Sequence, residues 1–257
     1  MTVDPTQFLI AGIRQGTRAA HIFFDRDPGL GEPRQVGLVC IQYCPGPLDP
    51  AWLEHPIEHA WGWPKVREDM GNHVGHVLLT CPEPENGSVL EQMLQIVQVA
   101  GNILEWPGAM AYLWVEGAAL HRADAVRSYL SELDQEAGAF PLDLWVGVRL
   151  FRDEGEGSIL LDTLGMHAFD RRDLEISLED TRELSEEALG ALQELIRRSA
   201  LYIVLRGEEV VGERHLLEFP DGSTCSVIDG VSQIFPERKI WRLVPIPGDE
   251  TPAHEGG

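Results

Sequence analysis

The stretch GHVLLTCPEPENGSVLEQMLQIVQVAGNILEWPGAMAYLWV, residues 75–115, decides the fold class. GHVLLTC (75–81) is a short apolar run closed by the turn-rich PEPENG, which reads as a strand. Ser88 and Glu91 then form a Ser-x-x-Glu capping box, which satisfies the free amides at a helix start. The helix behind it is predicted to run to about Glu105, with Leu90, Met93, Leu94, Val97 and Leu104 on one broad apolar face. AMAYLWV (109–115) is a second strand. A strand, a helix long enough to span it and another strand make a unit in which the helix packs on a sheet.

Outward from this core the same reading extends in both directions. Downstream, residues 121–137 are predicted as a helix carrying Val126, Leu130 and Leu133, with Gly138 as its cap, and LDLWVGVRLF (142–151) as a third strand. SILLDTLGMHAF and DLEISL read as short strands or loops. Ser185 caps a further helix that has Glu186 and Glu187 in its first turn and Arg197 and Arg198 later. Leu189, Leu192, Ile196 and Ile203 give that helix its buried stripe, and Gly207 stops it. Strands are expected near 214–219, 224–228 and 239–244, the first pair joined by PDGS. Upstream, VGLVCIQY (36–43) reads as a strong strand ended by CPGPLDP. AWLEHPIEHAWGWPKV (51–66) reads as helical in pieces, broken near Pro56 and Pro64. The expectation is an α+β fold: a mixed β-sheet with helices packed against it and C-terminal β-hairpins. It forms a single domain over residues 1–246, because no linker interrupts the middle, and 247–257 form a disordered tail.

Charge narrows the function classes. The net charge is −22, and Lys65 and Lys239 are the only lysines. Residues 1–128 hold 8 basic and 15 acidic side chains, a balance of −7, whereas residues 129–257 hold 12 and 27, a balance of −15. Such a surface repels phosphate backbones and anionic lipid, so direct nucleic-acid or membrane binding is disfavoured and basic protein partners or metal cations are favoured. Acidity for solubility alone is the competing reading. The N-terminal segment lacks a basic region followed by a sustained apolar one, and no run approaches a membrane span, so neither leader nor span is expected. Four cysteines (Cys40, Cys44, Cys81, Cys225) are too few for a disulfide framework. Reduced thiols in the cytoplasm are expected.

The chemistry-bearing clusters are few. His55 and His59 stand four apart, and His73 and His76 three apart, spacings at which helical pairs can share zinc. Pro56, Gly62 and Pro64 spoil a single helix there, and His76 begins a strand, so no metal is expected. Cys225, with His215 and Asp221 or Asp229, is a candidate nucleophile set, but its alternation in STCSVI also fits an inward strand residue. GLGEP (29–33) lacks a dinucleotide fingerprint, and neither a P-loop nor a Gly-x-Ser-x-Gly elbow occurs, so no cofactor is expected. DLEISLEDTRELSEEAL (173–189) holds seven carboxylates against one arginine and does not match a calcium loop. With Glu186 and Glu187 explained by the helix start, Asp173, Glu175, Glu179, Asp180 and Glu183 are the candidate partner-binding residues. A solvated rim is the plainer alternative. Trp61 and Trp63 in WGWP are candidates either for partner recognition or for core packing.

From EHAWGW onward the chain resembles a bacterial family, domain of unknown function 4261. The matching stretches are GHVLLTC, AMAYLWVEGAAL, FPLDLWVGVRLF, LLDTLGMHAFDRRDLEI and the helix leading into LYIVLRGEEV, over roughly residues 57 to 245. ERHLLEFPDGSTCS departs from the simpler ending of that family, which has no catalytic residues to carry over. The resemblance implies an accessory or immunity protein encoded beside effectors of a bacterial (type VI) secretion system. The function expected is therefore that of a cytoplasmic immunity protein, not an enzyme, that neutralises a basic toxin, fittingly a nuclease, by occluding its active site. The alternatives are an enzyme using the histidine-rich 55–76 region or Cys225, and a non-catalytic scaffold of the secretion system. Oligomeric state is not written in these motifs.

Overall fold

A computed structural model of the chain describes residues 18–29, 34–81, 89–133, 140–153, 157–179, 185–207, 215–218 and 224–246. The fold is α+β, and the chain divides into two compact units, residues 1–147 and 148–257, each built on its own six-stranded sheet. One domain was the expectation. The division falls at the start of a strand, Gly147–Asp153, where no change of composition marks it.

The first unit orders its strands β2-β3-β4-β1-β5-β6, with every pair antiparallel. These are β1 (Arg18–Phe24), β2 (Arg34–Val36), β3 (Val39–Pro45), β4 (Gly75–Cys81), β5 (Ala109–Trp114) and β6 (Ala119–Arg122). Strands β4 and β5 flank β1, so the segment between them must cross the sheet, and a helix does so. Two further helices come before it: α1 (Pro50–Glu58), which runs through Pro56, and α2 (Val66–Met70). The crossing helix, α3 (Val89–Leu104), buries Met93, Ile96, Val97, Ala100, Ile103 and Leu104 at helical spacing. Helix α4 (Ala123–Leu133) lies beside it, and Arg127 Nη1 donates to the Leu104 carbonyl at 2.7 Å, closing the end of α3. On the opposite face α1 and α2 share a core of Phe23, Leu53, Trp63, Val66, Met70, Ala111, Leu113 and Leu120.

The second unit orders its strands β10-β11-β12-β9-β8-β7. They are β7 (Gly147–Asp153), β8 (Ser158–Leu164), β9 (Asp173–Leu178), β10 (His215–Glu218), β11 (Thr224–Val231) and β12 (Lys239–Ile246). Strand β12 pairs with β9 in parallel, and β10, β11 and β12 form an antiparallel meander. Helix α5 (Glu186–Arg206) packs Leu195, Ile196, Ala200 and Ile203 against one face. Among the described residues no helix is long and apolar enough to cross a membrane.

Several element expectations change in detail. VGLVCIQY is a hairpin, not one strand: Gly37, at φ +60°, turns the chain between β2 and β3. The helix expected over 121–137 begins at Ala123, because residues 119–122 pair with β5 first. The strand expected over 142–151 begins at Gly147, after a 3₁₀ turn at Leu142–Leu144. Ser88, Gly138 and the tail at 247–257 lie outside the described residues.

Candidate functional site

Alternation along β8 and β9 sorts their side chains by face. Leu161, Leu174 and Ile176 lie on the α5 side, whereas Asp162, Asp173 and Glu175 share the other. Antiparallel register sets Asp162 opposite Glu175, and parallel register sets Arg242 of β12 on the other flank of Glu175. The segment joining β11 to β12 then folds back across this polar face, bringing Gln233, Phe235 and Arg238 onto it.

The result is a buried carboxylate–guanidinium network. Arg149 of β7 grips Asp162 with two donors: Nε meets Oδ1 at 2.7 Å, and Nη2 meets Oδ2. Arg238 Nη2 also donates to Asp162 Oδ2, at 2.9 Å, and stands 3.7 Å from Asp173. Asp173 Oδ1 accepts from Thr163 Oγ1 at 3.1 Å and from the Met166 amide at 3.2 Å. Arg242 Nη2 donates to Glu175 Oε1 at 2.9 Å, and the Gln233 amide donates to Oε2 at 3.1 Å. Phe235 lies beneath two guanidiniums, with Arg149 and Arg238 at 5.1 and 5.3 Å from its ring centre. Burial raises the Asp173 carboxyl above its ordinary range, against the opposing pull of Arg238, the Met166 amide, His167 and Thr163. With three arginines facing three carboxylates, the cluster fastens the 232–238 segment to the sheet.

This geometry corrects part of the docking expectation. Asp173 and Glu175 are 6% and 0% exposed, so neither is available to a partner on an open surface. Glu179 is exposed just beyond β9, and Glu186 and Glu187 are exposed in the first turn of α5. Asp180 and Glu183 lie outside the described residues. Ser185 caps α5 by accepting from the Ala188 amide at 3.1 Å. Trp61 is half-buried, and Trp63 is a core residue whose Nε1 donates to Asp69 Oδ2 at 2.6 Å.

The four histidines of the 55–76 region are placed in three ways. His55 and His59 lie ring to ring at 4.8 Å at the end of α1. His73 spends both nitrogens on backbone: Nε2 accepts from the Leu48 amide at 2.8 Å, and Nδ1 donates to the Met70 carbonyl at 2.5 Å. His76 instead meets His21, a residue the sequence reading did not single out, with ring centres 4.8 Å apart. Burial is the larger cause lowering both: His76 falls to about 4, with the His73 imidazole as the second cause, and His21 to about 3, with the His76 imidazole as the second. Among the described residues no group of three or more His, Cys, Asp or Glu is arranged to hold a metal ion. Cys225 is fully buried, and burial pushes its thiol up to about 11 against a hydrogen bond with Ser199. In the ladder it faces Leu217, while Asp229 accepts from Arg172 at 2.5 Å, and Asp221 lies outside the described residues.

The network itself went unread in the sequence. Its one local signal is a charge inside an apolar strand, Asp162 in SILLDTL and Arg149 in GVRLF. No family model matches this chain, nor does any curated protein or solved structure.

Proposed function

We propose that the protein works by binding a basic protein partner, as a cytoplasmic immunity protein that neutralises a toxic effector of nuclease type by covering its active site. The net charge of −22, with −15 in residues 129–257, is the observation that carries this reading. A nuclease must be basic where it holds phosphates, so a polyanionic surface competes for the same groups and is steered onto them. The exposed carboxylates Glu179, Glu186 and Glu187 lie at the end of β9 and the start of α5, where they would meet such a surface. Two of the groups weighed for catalysis are otherwise engaged. His73 is fully hydrogen-bonded to backbone, and the Cys225 thiol stays protonated at neutral pH.

The test is isolation of the chain from its source cells with any stoichiometric partner, followed by co-expression of the two. The expected result is a basic protein that halts growth alone and is harmless when this chain is present. A partner drawn from the structural parts of a secretion machine, or toxicity that persists on co-expression, overturns the reading.

A further inference from the structure

The β1–β4 seam of the first unit holds two imidazoles whose Nδ1 atoms no described residue serves. His21 is 1% and His76 5% exposed, and the Nδ1 atom of each is buried without a hydrogen-bond partner. They lie diagonally across the seam, His21 opposite Leu78 and His76 opposite Phe23, on the face that also carries α1 and α2. Phe23 packs against both rings and against His73 edge-on.

Among the described residues the surroundings offer nothing to balance a positive charge. From β3, Cys44 stands opposite His76, and its thiol is pushed up by burial and therefore neutral. From β5 the same face presents Ala111 and Leu113. Helix α1 brings Leu53, its Glu54 and Glu58 being exposed and its His55 facing His59. Helix α2 brings Val66 and Met70, with Arg67 and Glu68 exposed and Asp69 engaged by Trp63. The turn after it brings His73, whose two ring nitrogens are both spent on backbone groups. Among the described residues neither His21 nor His76 has an ion-pair partner.

We propose that the His21–His76 pair is an acid-sensitive latch: mild acidification opens the β1–β4 seam of the first unit while the second unit stays formed. An opened seam lets both rings reach water and take protons at their ordinary value near 6.5, whereas the closed seam holds them at about 3 and about 4. The open form therefore binds more protons below about pH 6.5, and the closed form loses stability as pH falls through that window. Two protons taken up on opening raise the opening constant by up to about a hundredfold per pH unit, and one proton by about tenfold. Carboxylates ordinarily titrate below this window, and Asp173, raised by burial, favours the folded second unit as pH falls.

The experiment is hydrogen exchange on the full chain between pH 7 and 4.5, corrected for intrinsic exchange and resolved by segment. Peptides covering β1 and β4 should lose protection with a slope well above tenfold per pH unit, while those from β9, β12 and α5 keep theirs. His21→Phe should cut the slope to about tenfold. Ring resonances of His21 and His76, followed by NMR in the wild type, should stay neutral until the seam opens, and they decide the matter if the variant fails to fold. Protection unchanged to pH 4.5, an unaltered slope in the variant, loss in both units together, or ring titration near pH 6.5 with β1 and β4 still protected would each overturn the proposal.

Discussion

Asp162 stands among leucines and yet is 0% exposed, gripped by Arg149 and reached by Arg238. A buried ion pair of this kind adds little net stability over an apolar replacement, but removing one partner strands the other charge. Asp162→Asn, which leaves Arg149 charged at 3% exposure, should therefore cost about 3–5 kcal/mol. Glu179→Gln, at an exposed position, should stay within about 0.5 kcal/mol of wild type. Urea unfolding of the two variants checks this, and equal midpoints would mean that the network holds nothing in place. The same contrast explains why the acidic stretch was only partly legible. The alternation D-L-E-I-S says that Asp173, Glu175 and Ser177 share a face, but not whether that face is wet. What covers it includes Gln233, 58 residues beyond Glu175, and no local pattern reports a contact of that separation.

Elements were legible where a local signal sufficed. Helix α3 was expected from Ser88 to about Glu105 and is described from Val89 to Leu104. Of its expected apolar face Met93, Val97 and Leu104 are buried, whereas Leu90 and Leu94 are half-buried and Ile96, Ala100 and Ile103 complete the buried side. Helix α5 begins where Ser185 sets it, and the cap bond to the Ala188 amide is formed. Ser185→Ala should cost about 1 kcal/mol through loss of that bond, with Glu186 and Glu187 still favourable to the helix dipole. A thermal melt or urea midpoint measures the loss, and Ser185→Asp should restore most of it. A variant as stable as wild type would assign the start of α5 to tertiary packing instead. Strand β1 escaped the sequence reading for a physical reason: RAAHIFF is buried from Ala19 to Phe24 with helices on both faces, so no alternation remains to mark it. Strand β6 was absorbed into the helix after it, because its pairing with β5 outweighs any local preference in ALHR. The meander was the reverse case, its three strands standing close to their expected positions because PDGS and alternating side chains announce them.

At the scale of the whole molecule, the buried network cancels itself. Asp162, Asp173 and Glu175 face Arg149, Arg238 and Arg242, so it draws nothing from the −15 of residues 129–257, and that excess lies outside it. Charge outside a satisfied core acts at long range, within a Debye length of about 8–10 Å at ordinary salt, and governs encounter more than the strength of the docked state. Neutralising Glu179, Asp180 and Glu183 together should accordingly slow association with the basic partner and flatten its salt dependence, leaving dissociation and thermal stability close to wild type. If instead these carboxylates become desolvated against the partner's arginines, dissociation should accelerate and about 2–5 kcal/mol of affinity should be lost. Asp173→Asn behaves differently under either outcome, since that side chain holds Thr163 and the Met166 amide inside the fold and should register in stability, not in encounter. Binding kinetics for wild type and triple variant at two salt concentrations, with melts alongside, separate these cases. Rates unchanged at both salts would make the run after β9 a solvated rim and move the docking surface to another part of the acidic excess.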